Sequence, residues 1–64
     1  MEKVVLWRVV TRNAVFGLVF RNDELVEAPP AVSRHLFGAG VVEVREYMSR
    51  NYDGRMRKVE DENA

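Results

Sequence analysis

Two runs of β-branched and aromatic residues stand on either side of a gap too short for anything but a turn: KVVLWRVVT over 3–11 and VFGLVFR over 15–21. Such residues fit a pleated, half-buried surface, so both runs read as strands. With Arg12-Asn13 between them they must pair as an antiparallel hairpin, although the favoured Asn-Gly is missing. A two-residue loop at 12–13 makes paired residue numbers sum to 25. Val9 then faces Phe16, Trp7 faces Leu18 and Val5 faces Phe20, all on one face. The other face carries Val10–Val15, Arg8–Gly17, Leu6–Val19 and Val4–Arg21. A slip of one residue would move every side chain to the opposite face, and this register gathers the bulky ones together.

Asn22-Asp23-Glu24 reads as a three-residue turn and Leu25 to Ala28 as a short third strand. Pairing numbers here sum to 46, which puts Val26 beside Phe20 and Ala28 beside Leu18. Pro29-Pro30 stops the strand, because proline cannot donate to a ladder. Pro30 also suits the first turn of a helix, so a short helix is expected over Ala31 to Phe37, ended by Gly38-Ala39-Gly40. A second helix is expected over Val41 to Asn51, with Val41, Val44, Tyr47 and Met48 on one face and Glu46–Arg50 at supportive spacing. Asp53-Gly54 is a stop, and RMRKVEDENA beyond it reads as a frayed end. The expected fold is α+β: a three-stranded antiparallel β-meander with two short helices on its bulky face. It forms a single domain over 1–52, followed by a charged, flexible tail over 53–64.

Sixty-four residues hold one domain, and a chain of that size buries only about 60% of its unfolded surface. With no cysteine and one histidine, neither a disulfide framework nor a Cys- or His-rich metal site is expected, and no cofactor. Ten basic and ten acidic residues cancel, which argues against both a nucleic-acid coat protein and an acidic DNA mimic. No apolar run approaches the roughly 20 residues of a membrane span. Met1-Glu2-Lys3 lacks a secretory pattern, so no membrane contact and a cytoplasmic location are expected. Twelve valines without isoleucine, and eight arginines against two lysines, speak of a GC-rich source rather than of mechanism.

The second face of the sheet carries the functional expectation. A sheet whose back meets water alternates apolar and polar residues. This face instead holds Val4, Leu6, Val10, Val15, Val19 and Leu25, interrupted by Arg8, Arg21 and Glu27. Two short helices cover one face and scarcely two, so an apolar patch remains, and such patches usually mark an interface. Leu6, Val10, Val15, Val19 and Leu25, rimmed by Arg8 and Arg21, are the candidate protein interface, for a homodimer or another protein partner. The alternative is a monomer in which the Arg8 and Arg21 stems and the tail cover the patch.

Signatures of catalysis are weak, and no enzyme is expected. Ser33 and His35 stand two apart, which on a helix points them away from each other. Asp23, Glu24 and Glu27 cluster at a turn, where solvated acids are ordinary. Gly38-Ala39-Gly40 lacks the glycine pattern and preceding strand of a dinucleotide site. Nucleic-acid binding is the runner-up: Arg45, Arg50, Arg55, Arg57 and Lys58 interleave with Tyr47 and Tyr52, which suits phosphate contact and base stacking. The acidic run Glu60-Asp61-Glu62 that follows can fold back on those arginines instead.

Trp7, Arg8, Val9 and Thr11 in the first strand, Gly17 in the second, the Val26-x-Ala28-x-Pro30 step and the helix-ending Gly38 form one pattern. In this the chain resembles short uncharacterised proteins common in phages and GC-rich prokaryotes. The resemblance spans about residues 7 to 50. Arg12 stands where a proline is common, and the long charged end is a further departure. The resemblance implies a small accessory protein, plausibly viral, and carries no catalytic residue.

Overall fold

The structure, a computed structural model, describes residues 2–60. The elements follow in the order β1 (Val4–Val10), β2 (Val15–Arg21), β3 (Glu24–Glu27), α1 (Pro30–Leu36), α2 (Val41–Asn51) and β4 (Arg55–Lys58). The sheet is antiparallel with strand order β3-β2-β1-β4. The fold is α+β, with four strands where the sequence led us to expect three.

The β1–β2 hairpin has the register that its alternation dictates, with Val9↔Phe16, Trp7↔Leu18 and Val5↔Phe20 on the bulky face. Its loop lacks Asn-Gly and is fastened by a side chain instead. The Thr11 hydroxyl accepts from the amides of Asn13 (3.2 Å) and Ala14 (2.9 Å) and donates to the Ala14 carbonyl at 3.1 Å.

The next turn is shorter than expected. Arg21 pairs with Glu24, leaving only Asn22 and Asp23 in the loop, both with positive φ (51° and 67°). Two left-handed residues in a two-residue loop make the mirror-image turn that fits strand twist, and Asn and Asp tolerate that region better than other side chains. The turn shifts β3 by one position, so Phe20 faces Leu25 rather than Val26, and Leu25 is fully buried. A bulge between Val19 and Phe20 absorbs the shift, because Val19 still pairs with Glu27. The ion pair between Lys3, just before β1, and Asp23 of this turn is 3.3 Å long and largely exposed, hence worth little. Asp23→Gly gives the Asn-Gly pair this turn favours and is expected to raise stability by up to about 1 kcal/mol, as the relieved left-handed strain exceeds the entropy glycine adds. Chemical denaturation would show it as a higher midpoint with an unchanged slope.

Residues 55–58, expected in the tail, form β4 against β1, with Val10↔Arg55, Arg8↔Arg57, Val9↔Met56 and Trp7↔Lys58. Residues 61–64 of the expected tail lie outside the described residues. Met56 packs against the core, and Lys58 lies over the Trp7 ring, so alternation puts one side of a highly charged strand to hydrophobic use. The route into β4 is set by Asp53 in the left-handed region (φ 51°) and by Gly54, whose amide donates to the Met48 carbonyl at 3.0 Å.

The core gathers Trp7, Val9, Leu18, Phe20 and Leu25 from the sheet with Val32 and Leu36 from α1 and Val44 and Met48 from α2. Trp7 and Phe20 meet edge to face, centroids 6.3 Å apart. Both helices thus lie on the bulky face. The outer edge of β3 is engaged by the link between them: the Leu25 amide donates to Ala39 and the Leu25 carbonyl accepts from Gly38. The smallest extent is 18 Å, enough for one sheet and one helix layer.

Candidate interaction surface

The pleat decides which residues reach the uncovered face. From β1 come Val4, Leu6, Arg8 and Val10, and from β2 their partners Arg21, Val19, Gly17 and Val15. From β3 come Glu24 beside Arg21 and Glu27 beside Val19, and from β4 Arg55 beside Val10 and Arg57 beside Arg8. Val4 is 56% exposed, Leu6 46%, Val10 47% and Val15 62%, while Val19 is half-buried. On the central pair of strands these aliphatics fall in two groups, Val4, Leu6 and Val19 at one end and Val10 and Val15 at the other, with Arg8 and Gly17 between them. Val59 and Glu60, a short turn past the end of β4, line a cleft with Val4 and Leu6 at one end of the patch.

Of the residues expected at the interface, Leu6, Arg8, Val10, Val15, Val19 and Arg21 do share this face, and Leu25 does not. The two-residue turn puts Leu25 in the core against Phe20. Glu24, Arg55 and Arg57 join the face unforeseen, the first through that turn and the arginines through β4. Gly17 leaves a shallow place into which Leu6 leans, since a Cβ at Gly17 would sit 3.5 Å from Leu6 Cδ1.

The charges are unevenly distributed. Glu24 and Glu27 occupy the β3 edge, at the height of Val4 and Leu6. Arg55 and Arg57 occupy the β4 edge, at the height of Val10 and Arg8. Arg8 and Arg57 are direct cross-strand neighbours, a like-charge pairing that costs energy in a sheet. Arg21, on β2, is 3.1 Å from the carboxylate of Glu2.

The basic set read as a possible nucleic-acid contact is divided by the fold. Arg55 and Arg57 lie on the open face. Arg45 and Lys58 lie on the helix side, where the Arg45 guanidinium stands 5.3 Å and the Lys58 ammonium 5.8 Å from the centroid of the Trp7 ring. Arg50 sits with Arg12 and Tyr52 around the hairpin loop. Tyr47 and Tyr52 are half-buried and in contact with other rings: His35 stacks on Tyr47, Tyr47 meets Tyr52, and Tyr52 meets Phe16 edge to face, each at 6.1–6.2 Å. The five cations therefore form no single track for a backbone of phosphates.

No helix among the described residues is long and apolar enough to cross a membrane. Comparison with family models, with curated proteins and with solved structures found no match.

Proposed function

We propose that this chain is a small, non-enzymatic interaction module, an accessory protein that acts through the open face of its sheet on another protein surface, foremost a second copy of itself. The exposed aliphatics on that face, Val4, Leu6, Val10 and Val15, carry the reading. An apolar centre with arginine at its margin is the usual anatomy of an interface. Formal net charge is zero, so overall repulsion does not keep copies apart. Two-fold pairing is the commonest way for a small chain to hide such a patch, and it adds core where 64 residues supply little. Two strands of seven residues and two of four, spaced about 4.8 Å apart and rising about 3.3 Å per residue, cover roughly 350 Å² in projection. Counted on both copies that is about 700 Å², the size of a weak, reversible contact rather than of a permanent one.

Leu6→Glu tests this cleanly. Leu6 is about half exposed, so the isolated fold accommodates the change, whereas a glutamate at Val19 would face Glu27 even in a monomer. Sedimentation equilibrium at about a hundred micromolar is expected to give twice 7.4 kDa for the parent and 7.4 kDa for Leu6→Glu, with nearly equal melting temperatures only in dilute solution, where both are monomeric. A parent that runs as a single 7.4 kDa species overturns the reading.

A further inference from the structure

The charged corners of the open face determine how two copies meet. Glu24 and Glu27 stand three strands away from Arg55 and Arg57. By strand spacing that is about 14 Å across the sheet. Through the β1–β2 register the acids sit at the level of residues 4 and 6 of β1 and the arginines at the level of residues 8 and 10. Four residues' mean difference is about 13 Å along the strands. The two corners are thus at opposite ends of a diagonal close to 45°. None of these four side chains has an ion-pair partner among the described residues.

Face-to-face pairing by a two-fold axis can be arranged in three simple ways. An axis parallel to the strands lays β4 over β3 but keeps heights unchanged, leaving the arginines about 13 Å from the acids. An axis across the strands lays β4 over β4 and keeps the arginines on the basic side. An axis along the other diagonal, from the Val15 corner to the Val4 corner, carries each charged corner onto its opposite. We propose that the second copy docks by this diagonal two-fold, with Arg55 and Arg57 of each protomer against Glu24 and Glu27 of the other. The inference rests on the open face being a self-association surface.

The geometry has independent support in packing. A two-fold at about 45° to the strands makes the two sheets cross at near right angles, one of the two preferred classes of sheet packing. Leu6 and Gly17 fall beside the axis, so the most intimate contact is Leu6 leaning over Gly17, met by the same pair of the second copy. Sheets packed about 10 Å apart leave a gap that an arginine and a glutamate span together at the rim. Each acidic corner also comes to the side where Arg8 and Arg57 crowd each other.

Charge exchange tests it. One variant carries Glu24→Arg and Glu27→Arg, the other Arg55→Glu and Arg57→Glu. Each alone puts like charges at both corners and is expected to self-associate about tenfold or more weakly than the parent. An equimolar mixture restores opposite charges at both corners and is expected to form a heterodimer as tight as the parent dimer. The deficit of the single variants is expected to shrink in 1 M salt, where charge interactions are screened. Circular dichroism melts establish that each variant folds, and the milder Glu24→Gln, Glu27→Gln variant replaces the arginine one should it not. With that replacement, weakened self-association of the Gln variant supports the geometry and parental affinity overturns it. Variants that dimerise like the parent, or weakened variants that the mixture fails to rescue, overturn the diagonal geometry while leaving self-association in place. A parent that is monomeric throughout overturns both.

Discussion

Phe20→Ala is expected to remove most of the stability of this domain. Phe20 is 1% exposed and sits where β1, β2 and β3 meet, facing Val5 on one side and Leu25 on the other, with the Trp7 ring edge against it. Truncating a buried phenylalanine costs about 3–5 kcal/mol, part lost burial and part the void left behind. Small domains possess little more than about 5 kcal/mol in total. At about 4–8 °C per kcal/mol for a chain of this size, the midpoint should fall by about 12 °C or more. Trp7→Ala should behave similarly, since it also removes the ring on which Arg45 and Lys58 rest. Thermal melts followed by circular dichroism decide the matter; shifts of only a few degrees in both variants would mean that the core lies elsewhere.

The second large effect is expected at Gly54. Its φ is not in the left-handed region, so space rather than conformation demands glycine there. A Cβ would stand 2.8 Å from Val9 Cγ1 and 3.2 Å from Thr11 Cγ2. Val9 is fully buried near the end of β1 and has nowhere to move. Gly54→Ala should therefore cost about 1–3 kcal/mol by overpacking. The damage should also be local, because the clash pushes the start of β4 away from β1. Hydrogen exchange is expected to quicken in the β1–β4 ladder while the β1–β2 ladder stays protected. Unchanged exchange in β4 together with an unchanged melting temperature would refute the argument.

The parts of this fold legible in the sequence are those in which one residue pattern admits one geometry. The first hairpin was such a case, since the gap at 12–13 and the alternation of bulky side chains fix the same register. So was α2, where apolar spacing and the flanking glycine and Asp53-Gly54 mark both ends. At β3 the pattern was ambiguous. Glu24 looks like a turn residue, and nothing in composition reveals that Asn22 and Asp23 both take left-handed angles and close the turn without it. The bulge hid the consequence, because Val19 and Glu27 pair in the expected register while Leu25, two residues away, slides into the core. β4 was missed because RMRK reads as solvated charge. Its hydrophobic contribution is one methionine and one lysine stem, and most of the apolar surface it needs belongs to β1. Met56 at the right parity after Asp53-Gly54 was the available signal. The open face was legible at its centre, in Leu6, Val10, Val15 and Val19, and illegible at its corners, which depend on β3 and β4.

The two outer strands differ in how they end the sheet, and together they limit growth. On the β3 side, the amide and carbonyl of Leu25 that would receive another strand are already bonded to Ala39 and Gly38. On the β4 side no strand follows among the described residues, but every strand added there would approach Arg55, Arg57 and Lys58 in a row of four residues. Positive charge along an edge is a standard barrier to strand addition. Polymerisation by sheet extension is thereby blocked on one side and opposed on the other. A concentrated solution of this protein should stay free of fibrils under conditions in which an uncharged edge would seed them.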